Sequence, residues 1–144
     1  MTTIIEKLTD VDIYAFINRS DTSFASRLSL YLDLKEYSIK LSRFALFVTA
    51  REDDSIIGVI AYYINREQNV FYIPYVCVDV KHRNQGIAKQ LFSCLFQEAR
   101  IQKKDIMLEV RPDNIGAISL YKKYGFQNIG IVGSKYLMKR NYES

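Results

Sequence analysis

Residues 78–92, VDVKHRNQGIAKQLF, pass from a β-branched strand through a basic and polar corner into an apolar-periodic segment just after Gly86. Such a corner offers backbone N-H groups and the positive end of a helix macrodipole to an anion, with glycine permitting close approach. A plain strand-to-helix turn in which Gly86 relieves a positive φ explains the same residues equally well. The Walker pattern GxxxxGK[ST] and the dinucleotide pattern GxGxxG are both absent. A second stretch with chemistry in it is LEVRPDNIGAISLYKKYGF, residues 108–126. It carries a glutamate, Glu109, on a strand-like run and a tyrosine, Tyr121, on a helix-like one.

These residues need elements to hold them. Thr3 to Leu8 reads as a strand, Thr9 and Asp10 as a cap, and Val11, Tyr14 and Ile17 as one face of a helix. In LYLDLKEYSIKL, Asp33 and Glu36 have capping-box spacing, while Leu34, Tyr37 and Leu41 share a face. FALFVTA (44–50) and SIIGVIAYYI (55–64) flank REDD as a hairpin, and VFYIPYVCVDV continues as a third strand whose Pro74 should interrupt regular pairing. Ile87, Leu91, Cys94, Leu95 and Ala99 mark a helix that lies on a sheet and runs to about Gln102. DIMLEVR is a strand, IGAISLYKKY a helix stopped by Gly125, and FQNIGIV and KYLMKR two last strands. A right-handed strand-helix-strand crossover over 70–110 demands one parallel pair, and the other neighbours should be antiparallel. Open sheets bind ligands where such strands diverge.

Length, composition and charge bound the rest. The 144 residues suit one domain, 1–144, with its own core. No apolar run approaches the roughly 18 residues of a membrane span, and MTTIIEKLTD lacks the pattern of a secretory leader, so a soluble cytoplasmic protein with no membrane partner is expected. The formal charge is +4, but its Lys and Arg are dispersed, which argues for attraction to anionic ligands and against a nucleic-acid partner. Cys77 and Cys94 sit among apolar neighbours as core thiols, and no metal site is expected.

Together the two stretches resemble the GCN5-related N-acetyltransferases (GNAT). The family's pyrophosphate motif Q/R-x-x-G-x-G/A is matched by Arg83, Gly86 and Ala88, and its following strand and helix by Asn114, Ala117, Leu120, Tyr121, Gly125 and Phe126. The resemblance covers about residues 70–132. It implies a mixed α/β fold with a mostly antiparallel sheet of six or seven strands, a parallel splayed central pair and about four flanking helices. It also implies acetyl transfer from acetyl-CoA to a primary amine of a small molecule or peptide, by direct attack in a ternary complex. The backbone of Arg83, Asn84, Gln85, Gly86, Ile87, Ala88 and Lys89 would cradle the diphosphate, with Asn114 a further cofactor contact. The strand edge near Val78 and Val80 would pair with pantetheine, and the Val78 N-H would face the thioester oxyanion. Tyr121 takes the position of the acid that protonates the departing sulfur. The carboxylate that many relatives carry before the pyrophosphate loop is missing from FYIPYVCV, so the LEVR segment, similar to that of the ribosomal-protein alanine acetyltransferases, makes Glu109 the candidate base. A solvent-facing Glu109 paired with Lys or Arg is the alternative, and His82, at the diphosphate end, is expected to be a solvated loop residue. Asp21, Tyr31, Tyr37, Tyr62, Tyr72 and Tyr75 are candidates for the acceptor side. A non-catalytic acyl-CoA-binding module of the same fold remains the other functional class, and a monomer or homodimer is expected.

Overall fold

A computed structural model describes residues 1–21 and 27–144. The chain runs β1 (Thr2–Glu6), α1 (Asp10–Ser20), α2 (Leu34–Phe44), β2 (Leu46–Glu52), β3 (Ser55–Asn65), β4 (Val70–Val78), α3 (Ile87–Gln102), β5 (Asp105–Val110), α4 (Ile115–Lys123), β6 (Gln127–Val132) and β7 (Lys135–Arg140). Short 3₁₀ turns occupy Leu28–Leu30 and Val80–His82. The seven strands hydrogen-bond in the order β1-β2-β3-β4-β5-β7-β6. This is the expected mixed α/β fold, with β4 and β5 as its parallel pair.

By contact the described chain falls into two compact units, Met1–Tyr62 with Tyr75–Leu95, and Tyr63–Pro74 with Phe96–Ser144. The boundaries lie inside β3, at Pro74 in β4, and inside α3.

In the first unit, the Thr9 side chain accepts from the Asp12 N-H to start α1, and Asp33 accepts from the Lys35 and Glu36 N-H groups to start α2. Both caps satisfy N-H groups that the first helical turn leaves without partners. The apolar stripe of α1 is corrected by one register: Ile13, Phe16 and Ile17 are buried, while Val11 is 70% exposed. Phe44, expected at the head of a strand, ends α2 and points to solvent. Asp53 and Asp54 both adopt positive φ between β2 and β3, the backbone a two-residue hairpin requires. The core of this unit includes Phe16, Leu41, Phe47, Ile60, Leu91 and Leu95, all fully buried. Each such side chain removed from water contributes about 1.5–3 kcal/mol. Gly58 belongs to the same packing, since a Cβ there would stand 3.1 Å from Ile87 Cγ2 and 3.1 Å from Leu91 Cδ1. Its bare Cα lets the first turns of α3 settle onto β3.

In the second unit, β4 and β5 pair in parallel from Val70↔Asp105 to Ile73↔Leu108, and the register stops one residue before Pro74. Proline has no N-H to donate to a ladder, which accounts for the stop. Beyond it, Glu109 and Val110 pair with Leu137 and Tyr136 of β7. The last hairpin inserts β7 between β5 and β6, so β6 lies at the sheet edge with all six residues exposed. Asn114 caps α4 by accepting from the Ala117 N-H. At the other end, Gly125 at φ +94° lets its own N-H reach the Lys122 carbonyl and the Phe126 N-H reach that of Tyr121. This left-handed cap is the stop expected from the sequence.

Candidate functional site

The first unit holds the basic corner. Strand β4 stops at Val78, and Val80 sits in the 3₁₀ turn, 58% exposed, which corrects the expectation that it lies on a strand edge. The Asp79 N-H donates to the Ile57 carbonyl on β3 at 2.8 Å. Because successive peptide groups of a strand face opposite sides, the Val78 N-H and carbonyl point away from β3. The Arg83 Nε donates to that Val78 carbonyl at 3.2 Å.

Next the chain takes two left-handed steps, Asn84 at φ +63° and Gly86 at φ +80°. Asparagine tolerates this region, and glycine enters it without a Cβ penalty. The place a Cβ would occupy on Gly86 has nothing within 4 Å, so the corner is open to solvent there. The Gly86 carbonyl accepts from the Gln90 N-H at 3.1 Å and so opens α3. The N-H groups of Ile87, Ala88 and Lys89 are therefore first-turn donors with no intrahelical acceptor. The Ile87 side chain is buried against the sheet, leaving its backbone as its offer to a ligand, while Ala88 is half-buried and small. Lys81, Arg83, Asn84, Gln85 and Lys89 are exposed.

His82 is not the solvated residue expected on this loop. Its Nδ1 lies 3.2 Å from Asp79 Oδ2 and its Nε2 3.6 Å from Glu52 Oε1, and its side chain is 23% exposed.

The second unit holds both proton-transfer candidates. Glu109 is half-buried on β5, and its Oε2 accepts from the Tyr72 hydroxyl at 2.7 Å. Tyr72 pairs with Met107, so Tyr72 and Glu109 are diagonal neighbours on one face. The expectation of a Lys or Arg partner for Glu109 is replaced by this phenol. Tyr121, on α4, has its ring centroid 5.8 Å from that of Phe126 at an interplanar angle of 60°. Burial pushes its phenol up to about 12. The Asn114 side chain is engaged in capping α4 through its Oδ1, at 3.2 Å from the Ala117 N.

Of the acceptor-side candidates, Tyr62 and Tyr75 are core residues and Tyr31 is 68% exposed. Asp21 is held by Ser29, whose hydroxyl donates to its Oδ2 at 2.6 Å and whose N-H donates to its Oδ1. These bonds hold the Asp21 carboxyl below the ordinary range despite the opposing cost of burial. The rest of TSFAS, residues 22–26, lies outside the described residues. The close approach of α3 to Gly58 and the hydrogen bond from Tyr72 to Glu109 are features that their residue types alone did not disclose. A glycine inside a strand is the usual sign of a close approach and was the available signal for the first.

Residues 11–126 match the acetyltransferase (GNAT) family. The chain belongs to that family, whose catalytic class is acetyl transfer. Among curated proteins it is 30% identical over 101 residues to N-acetylaspartate synthetase of Xenopus tropicalis, covering 69% of this chain and 37% of that protein. It spans between 26% and 40% of the lengths of the four curated relatives considered. Among solved structures it resembles the PaiA N-acetyltransferase of Thermoplasma acidophilum in complex with coenzyme A, with TM-score 0.74, 22% identity and coverage of 99% and 100% of the two chains. The ribosomal-protein-S18-alanine N-acetyltransferase of Escherichia coli gives TM-score 0.76 at 18% identity, with coverage of 98% and 94%. At these identities the structural likeness establishes the fold.

Proposed function

We propose that this chain transfers an acetyl group from acetyl-CoA to a primary amine of a small molecule or peptide, by direct attack of the amine on the thioester. The observation that carries the reading is the corner at 83–89. Two left-handed residues turn the backbone, a glycine with open space beside it permits close approach, and a helix of 16 residues begins there. A diphosphate would find backbone donors and the positive end of a macrodipole at once, with Lys81, Arg83 and Lys89 adding charge. The solved relative with coenzyme A bound supports the same ligand class. Val78, whose polar groups point away from β3, offers an N-H to the thioester oxygen and a carbonyl to the pantetheine amide once Arg83 releases it.

In this reading Glu109 takes a proton from the substrate ammonium, directly or through water, to give the neutral amine, and Tyr72 orients the carboxylate by its hydrogen bond. The neutral amine attacks the thioester carbon, the C-S bond breaks, Tyr121 supplies a proton to the departing sulfur, and the second proton lost by the new amide nitrogen restores the phenol through water. Gly86→Glu places a side chain and a negative charge in the cradle. Titration calorimetry with coenzyme A should then show binding to the wild type and none to the variant. Undiminished binding by Gly86→Glu relocates the site.

A further inference from the structure

We propose that His82 is a positioning residue for the diphosphate cradle, an inference that rests on reading the 83–89 corner as a coenzyme A site. The imidazole stands between two carboxylates of different elements: Asp79 Oδ2 lies 3.2 Å from Nδ1, and Glu52 Oε1, at the end of β2, lies 3.6 Å from Nε2. Its own N-H donates to the Asp79 carbonyl at 2.8 Å, and the Asp79 N-H is tied to Ile57 on β3 at 2.8 Å. His82 therefore ties the chain to the β2 end and to Asp79 just before the two left-handed steps at Asn84 and Gly86.

One consequence follows from that placement. The start of the corner is held in position before any ligand arrives, so less backbone freedom is lost on binding, and the Asp79 carboxylate is turned onto the ring.

The test separates the diphosphate from the rest of the cofactor. Dissociation constants are measured by calorimetry for coenzyme A and for S-acetylpantetheine, which lacks the diphosphate. His82→Ala should weaken coenzyme A about tenfold while leaving S-acetylpantetheine within about twofold of the wild type. Should the alanine variant not fold, His82→Gln, which keeps a donor for Asp79, gives the same selective loss at smaller amplitude. Equal weakening of both ligands, or unchanged affinity for coenzyme A, overturns the positioning role. Gly86→Glu serves as the control for the underlying reading: if it binds coenzyme A as the wild type does, the corner is not the diphosphate site and both proposals fall.

Discussion

At the scale of residues, the proposed proton donor, Tyr121, is the group whose surroundings speak most clearly. Burial alone raises the Tyr121 phenol to about 12, so its proton is retained well above the working pH of most enzymes. The sign matters: a raised value extends the protonated, acid-competent form to higher pH. Loss of this proton therefore leaves turnover unaffected between about pH 8 and about pH 10, and an alkaline fall in that window that vanishes in Tyr121→Phe would contradict the assignment. A phenol so weakly acidic is a poor donor to a thiolate in water, whose conjugate thiol titrates near 8.5. Desolvation raises both anions, however, so a sulfur leaving in equally dry surroundings meets a mismatch closer to that of the ordinary values. Tyr121→Phe should lower turnover by about a hundredfold while cofactor affinity stays within about twofold, read from steady-state kinetics and calorimetry. For the base, Tyr72 gives a handle that the strand pattern does not. Tyr72→Phe removes the 2.7 Å bond to Glu109 and should lower turnover several-fold, less than the loss in Glu109→Gln. An effect of Tyr72→Phe with none from Glu109→Gln would leave water as the proton acceptor.

At the scale of elements, the positions where the sequence was legible are those where one local rule decides. Thr9 and Asp33 announce helix starts because a short acceptor side chain there meets unpartnered N-H groups. Pro74 announces the end of the parallel register because it has no N-H to give. The positions that misled are those where partners far along the chain decide. Val11 fits the helical period as well as Ile13 does, and tertiary packing, not the period, selects which stripe is buried. Val80 continues a β-branched run, yet the His82 N-H bonded to the Asp79 carbonyl closes a 3₁₀ turn there. His82 lies in a polar loop by sequence, and Glu52, whose Oε1 stands 3.6 Å from its Nε2, is 30 residues upstream. Gly58 is the element-scale counterpart of Gly86, admitting a helix where Gly86 leaves the open space proposed for a ligand. Gly58→Ala should cost about 1 kcal/mol in urea denaturation, because two buried methyl groups at 3.1 Å must give way to the new Cβ. Unchanged stability would mean that α3 has slack against β3.

At the scale of the whole molecule, a net charge of +4 suits the strongly anionic donor proposed for this chain. Exposed Lys81, Arg83 and Lys89 concentrate part of that charge at the proposed cradle. Because these groups are solvated, their attraction is screened by salt, and affinity for acetyl-CoA should fall several-fold between about 0.05 M and about 0.5 M NaCl. Affinity independent of salt would argue that the diphosphate is held by buried dipoles alone. The strand order was partly legible: the crossover from β4 to β5 forces a parallel pair, whereas nothing local shows that β7 inserts between β5 and β6. The acceptor was the least legible part, since eleven tyrosines dilute any single candidate and the two deepest of those considered, Tyr62 and Tyr75, prove to be core. The central claim is amine-dependent acetyl transfer, and its most direct measurement is thiol release from acetyl-CoA across a panel of small amines and peptides. The expected result is release that rises above background with at least one amine and is lost in Gly86→Glu. Background release with every amine, by a protein that still binds coenzyme A, would contradict the account and leave an acyl-CoA-binding module in its place.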